Sequence, residues 1–223
     1  MRSFLTFVAA LGLAAFSLAD GGWLLKPPYE AKAKISYKVT VDANVGGQDH
    51  EATMKQLFTV DSKSDKEVKG KGSFSDVTLD GNDLSGQDLP SWDVTLSATD
   101  GSVTAAGDSV DYVRMLTPFT FIYPSKEIKV GDKWTTKFKP AKDAKEITID
   151  YEVVEQSKIG DDDVLKIKSK LSEDGPMKAD DTYWIGKDGK VLKFDLDIKG
   201  WPAPFTGGAQ DIDAKIKGEY VKS

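Results

Sequence analysis

The chain carries a single histidine, His50, within the polar run "GGQDHEA". Histidine is the commonest general base of catalytic triads. Neither a nucleophile motif nor a metal-ligand spacing surrounds His50, so the run reads as an exposed loop. Carboxylates offer the second chemistry. Asp161, Asp162 and Asp163 fall in "IGDDDV", and Asp180 and Asp181 fall in "KADDTY". Two carboxyl groups about 5–10 Å apart in a cleft can hydrolyse a glycosidic bond. Both acidic runs read instead as turns, where carboxylates are solvated. "IGDDDV" has the oxygen density calcium favours, but lacks the spaced ligands and distal glutamate of a calcium loop. There is no G-x-S-x-G, S-x-x-K, H-E-x-x-H or phosphate loop. The absence of cysteine excludes thiol nucleophiles, thiolate metal sites and thiol redox work. No metal or cofactor is expected, and the chain reads as non-catalytic. A carboxylate-dependent hydrolase stands as an alternative.

Aromatic residues remain. Trp92, Trp134, Trp184 and Trp201 are spread along the chain, and Trp23 lies near its start. Strand tryptophans bury a large area and usually serve a core. The run "GWPAPFTGG", residues 200–208, departs from that rule. It sets Trp201, Pro202, Pro204 and Phe205 between two alternating strands, and its prolines oppose strand continuation. A stiff apolar loop is expected there, either plugging the open end of a sheet or forming a lid over an apolar cavity. A second aromatic run, "FIYPSKEIKVGDKW" at 121–134, passes from Phe121 and Tyr123 through Pro124 and a Gly131-Asp132 turn to Trp134. It reads as a crossover between two parts of the fold. Tyr123, Trp134, Trp201 and Phe205 are the candidate ligand contacts.

The elements that must position these residues have a period of two. In "AKAKISYKVTV", Ala31, Ala33, Ile35, Tyr37, Val39 and Val41 share one face, while Lys32, Lys34, Ser36, Lys38 and Thr40 share the other. The same alternation places Ile147, Ile149, Tyr151 and Val153 together. It also groups Leu165, Ile167 and Leu171; Leu192, Phe194, Leu196 and Ile198; and Ile212, Ala214, Ile216 and Tyr220. Turn residues punctuate the runs, with "GKDGK" at 186–190 the clearest hairpin signal. About ten or eleven antiparallel strands are predicted from these runs. The best helix candidate is "DSVDYVRML" at 108–116, ended by Thr117-Pro118. The expected fold is all-β and mainly antiparallel. It is a curved sheet or incomplete barrel with at most one or two short helices, and it allows two related halves.

The first nineteen residues read as a leader. Arg2 supplies positive charge, "FLTFVAALGLAAF" is apolar, and Ser17 and Ala19 suit a signal peptidase. Cleavage is expected between Ala19 and Asp20, followed by an N-terminal β half at 20–118 and a C-terminal meander at 119–223; one continuous domain is the alternative. Loss of Arg2 would take the net charge from −6 to −7. Such a chain has no electrostatic footprint for nucleic acid. Arg114 would then be its single arginine. No later segment reaches the roughly 20 apolar residues of a membrane span. The expected location is periplasmic or extracellular.

The segment "YPSKEIKVGDKW" resembles the P-x-x-x-V-K-V-G-D-x-W segment of an uncharacterised family of secreted bacterial β-domains. In that family a meander with a Y-x-x-x-x-x-G-K hairpin follows, similar to "YWIGKDGKVLKF" here. The resemblance covers roughly the second half of the chain. More distantly, the expected architecture is similar to the curved sheets of lipoprotein carriers, which implies an apolar concave face. Together these readings predict an exported β-protein that binds a lipid-like ligand or an envelope protein through that face. A packed structural or interaction module with no ligand pocket is the alternative.

Overall fold

The computed structural model describes residues 21–84, 86, 87, 89, 91–107, 110–140, 144–203 and 210–222. The chain builds β1 (Lys34–Val45), β2 (Gln48–Lys63), β3 (Glu67–Leu79), β4 (Asn82–Asp83), β5 (Ser91–Ser97) and β6 (Val103–Ala106). A short helix α1 (Val110–Leu116) and a 3-10 turn (Thr117–Phe119) follow. Then come β7 (Lys133–Phe138), β8 (Ile147–Ile159), β9 (Asp162–Glu173), β10 (Lys178–Gly186), β11 (Val191–Ala203) and β12 (Gln210–Tyr220).

Among the described residues these strands form one open, curved sheet, ordered β6-β5-β3-β2-β1-β12-β11-β10-β9-β8-β7, with β4 attached to β3. The path is two meanders joined at a seam. The first runs outward from β1, and the second runs inward from β7 to β12. At the seam β1 and β12 pair antiparallel from Tyr37↔Tyr220 to Asn44↔Asp213. The ends β6 and β7 do not pair, so the sheet does not close into a barrel. Short turns suffice because every strand pairing is antiparallel. Gly46 and Gly47, both at positive φ, make the two-residue turn from β1 to β2.

Alternation predicts the buried face well. Val39, Val41, Ile147, Ile149, Tyr151, Val153, Leu165, Ile167, Leu171, Ile212, Ala214 and Ile216 all belong to the core. Their neighbours on the other face are mostly charged and exposed, as on a sheet wet on one side. The chain between β6 and β7 covers the buried face. Helix α1 packs on β6 and β11, and the 3-10 turn packs on β11. From the extended Thr120 the chain runs without regular secondary structure to Pro124, and Phe121, Ile122 and Tyr123 are all buried.

Three local readings differ from the sequence expectation. His50 lies in β2, not in a loop, and pairs with Asp80 at 2.7 Å. Asp180 and Asp181 lie in β10, with Asp181 on the buried face. Strand β11 continues through Trp201 and Pro202, where a loop was expected. Gly200 at positive φ forms an irregularity that shifts the register, and Pro202 then stands opposite Asp211. A bulge accommodates proline where a regular ladder would not. Phe205 lies outside the described residues.

Candidate functional site

Most of the inner face is filled. Among the described residues, a cavity of about 110 Å³ lies between the first meander, the connecting segment and the β10–β11 hairpin. Its wall is aromatic and aliphatic, with Tyr29, Tyr37, Phe58, Trp92, Phe119 and Tyr123 among the rings.

The strands place these rings by means of glycine. Gly72 of β3 stands directly opposite Trp92 of β5. A Cβ on Gly72 would lie 2.6 Å from Trp92 Nε1, so the indole lies flat over bare backbone. Gly70 makes similar room for Phe58, and Gly218 of β12 for Phe194, its cross-strand partner. Glycine inside a strand marks such a close approach. An aromatic ring across the pair also covers the exposed backbone.

Several polar tips of the wall are tied down. Tyr123 donates its hydroxyl to the Gly189 carbonyl at 2.7 Å, and Tyr37 donates to the Val191 carbonyl at 3.1 Å. Burial pushes both phenols upward, so both remain protonated donors. Burial likewise pushes Tyr29 up to about 12. Lys190, the single charged residue of the wall, is held by Asp188 at 2.6 Å. Trp92 Nε1 differs from these groups: it is buried and has no acceptor.

The structure therefore separates the four candidates from the sequence. Tyr123 lines the cavity. Trp201 lines a smaller void of about 20 Å³ and donates Nε1–H to the Met115 carbonyl at 3.0 Å. Trp134 lines neither void and stacks on Tyr151 at 4.8 Å. The corner around it is held by backbone: Gly131 N–H donates to Val153 O, and Asp132 accepts from Lys129 N–H. Upstream in the same run, Trp23 forms a two-way bridge with Ile128.

No family model matches the chain, and no curated protein matches it. Two solved structures are similar. One is a protein from Bacteroides fragilis NCTC 9343, named as exported and with a YmcC-like fold, 12% identical at a TM-score of 0.40. The other, from Parabacteroides distasonis ATCC 8503 and named as a lipoprotein, is 10% identical at 0.36. Each covers 91% of this chain and 100% of its own. At these values neither neighbour's chemistry transfers to this protein.

Carboxylates are distributed in a way that bears on catalysis. Asp161, Asp162, Asp163 and Asp188 edge a surface hollow beside Lys187, Lys190 and Lys222. Asp162 is bound by Lys222 at 2.9 Å. Asp163 is held below its ordinary range by Lys187 and Lys158. Asp188, although partly desolvated, is also held low by Lys190. A carboxylate pair that works as acid and base needs one member raised. Asp181 is raised well above its ordinary value, first by desolvation. It sits among Tyr183, Ser169 and apolar strand residues and lines neither the aromatic cavity nor the hollow. Glu173 is engaged by Arg114 through both carboxylate oxygens, at 2.5 and 2.9 Å. Among the described residues no group of three or more His, Asp or Glu is placed to hold a metal.

The cavity residues Trp92, Tyr37, Phe58 and Phe119 are not among the sequence candidates. A signal for them existed in the mid-strand glycines of "GKGS" and "KGEY", each of which needs a large ring above it.

Proposed function

We propose that this chain is an exported, non-catalytic β-protein that binds a small apolar group in the aromatic cavity of its inner face. Residues 1–19 act as a cleaved leader, and the working protein lies in the periplasm or outside the cell. The observation that carries this reading is the 110 Å³ aromatic-rich void left in a mostly packed face. Drug-sized ligands occupy pockets of roughly 300–1,000 Å³. A cavity lined by Leu, Ile and Phe that binds benzene measures about 150 Å³. The site therefore suits a single ring or the end of one acyl chain, with Tyr123 as a contact. A whole diacyl lipid is too large for it. Among the described residues no helix is long and apolar enough to cross a membrane. The lysine-bound carboxylates support the non-catalytic reading, since Asp163 and Asp188 are held ionised.

Native mass spectrometry of the purified protein after incubation with an envelope lipid extract tests the proposal. A retained apolar species with altered tryptophan fluorescence is expected. The second reading, a structural module with no ligand, is favoured by the filled remainder of the inner face. It predicts no retained species and unchanged fluorescence.

A further inference from the structure

We infer that the aromatic cavity selects an apolar group carrying a neutral oxygen acceptor, which takes the indole proton of Trp92. The inference rests on the binding reading above and names the chemistry of its ligand. Trp92 is 5% exposed, lines the cavity, and has no hydrogen-bond partner at Nε1. Buried indole N–H groups normally find a partner, and a lone one carries a desolvation cost. Other buried polar atoms also lack partners, including those of Ser36, Trp134 and Ser169. None of those residues lines the cavity. Trp92 is the orphan that does.

The indole is held where it is by its surroundings. Phe74 packs on it at 4.9 Å and Tyr112 stacks at 6.5 Å. Gly72 lies beneath its Nε1 edge. Three hydroxyl protons of the wall are already committed. Tyr37 donates to Val191 O, Tyr123 to Gly189 O and Thr120 to Leu116 O. A ligand thus meets the buried, unpartnered indole donor of Trp92 in a largely apolar wall whose other polar members include Gln56, Tyr29 and Tyr220.

The charge of the acceptor follows as well. An ionised carboxylate in such a wall needs a cation. Lys190 already binds Asp188. A neutral carbonyl, ester or ether oxygen fits, and a free carboxylate does not. This chemistry has two sources, a ring-bearing carbonyl or an acyl ester.

Three probes of similar size test it by titration: acetophenone, methyl butanoate and ethylbenzene. One net hydrogen bond corresponds to roughly two- to tenfold in affinity. At least one oxygen-bearing probe should bind the protein about fivefold tighter than ethylbenzene, on that scale. The tighter of the two identifies the source. The Trp92 indole proton should move downfield in the wild-type NMR spectrum with that probe and not with ethylbenzene. Trp92→Phe should abolish the preference, read as the ratio of oxygen-bearing probe to ethylbenzene affinity within the variant. The wild-type spectrum alone decides the matter if the variant does not fold. Equal affinity for all three probes with no indole shift overturns the acceptor assignment and leaves the binding cavity standing. No binding of any probe overturns both.

Discussion

The two meanders hold the connecting segment in different ways. The second meander grips it by rings, with Phe119 on Phe194 and Trp201 and Phe121 on Trp134, Tyr151 and Tyr183, and also by hydrogen bonds and an ion pair. Tyr183 donates to Pro118 O at 2.6 Å, Trp201 to Met115 O at 3.0 Å, and Tyr151 accepts from Ile122 N–H at 3.3 Å. Arg114 reaches across to Glu173, whose side chain is 1% exposed. The first meander meets the same segment more thinly, with Trp92 on Tyr112 and with backbone bonds from Tyr123 N–H to Asp100 O and from Gly107 N–H to Asp93 O. Directional bonds fix distance, and the second meander supplies side-chain bonds to the segment's backbone at Pro118, Met115 and Ile122. The cavity accordingly lies against the first meander.

This contrast can be broken most severely at Arg114. Arg114→Ala leaves Glu173 buried without its cation and should cost about 3–5 kcal/mol in urea denaturation. Replacing both residues by methionine should recover most of that loss. If the single change is mild, the second meander is not the firmer grip.

Asp181 gives the same side of the molecule a pH signature. Desolvation raises its folded carboxyl value, so the native state keeps a proton that the unfolded chain releases above about pH 4. Its stabilising proton is fully present below that pH and its contribution falls as pH rises toward the folded value. Asp181→Asn should remove this decline. The gap between variant and wild-type urea midpoints should widen in the variant's favour from acid to neutral pH. A constant gap would refute the assignment.

Tyr183→Phe should cost about 1–3 kcal/mol by stranding the Pro118 carbonyl. The contrast is sharpened by adding one methylene to each side. Val153→Ile, fully buried and lining no cavity, should cost about 1–3 kcal/mol by overpacking. Val94→Ile grows toward the cavity and should gain up to about 0.8 kcal/mol while weakening acetophenone binding. Smallest of all is Trp134→Phe. It removes an unpartnered N–H along with some packing, should change stability by less than about 1 kcal/mol, and should leave probe binding unaltered.

The fold was legible because alternation is a local signal that burial of one face enforces. Ile147, Ile149, Tyr151 and Val153 are readable at any window length. Helix α1 was legible from its breaker, Pro118. The site was not, because a cavity is a property of strands far apart in sequence. Nothing local to Trp92 announces Tyr29 or Phe119 beside it. Trp201 misled because proline normally ends a strand, and only the irregularity at Gly200 lets β11 run on. Asp181 misled because two adjacent acids suggest solvent, whereas in a strand consecutive residues face opposite ways. Asp180 takes the water and Asp181 the core.

The seam between β1 and β12 also sets a clock. Val39 pairs with Gly218, so the centre of the sheet joins the earliest strand to the last. Ribosomes add about 5–20 residues per second. Val39 therefore waits on the order of ten to forty seconds after its own synthesis before its partner exists. Through that interval β1 stands as an unpaired edge, the kind of strand that recruits a foreign one. Lys38, opposite Glu219 in the finished seam, lies on that waiting edge and opposes such capture.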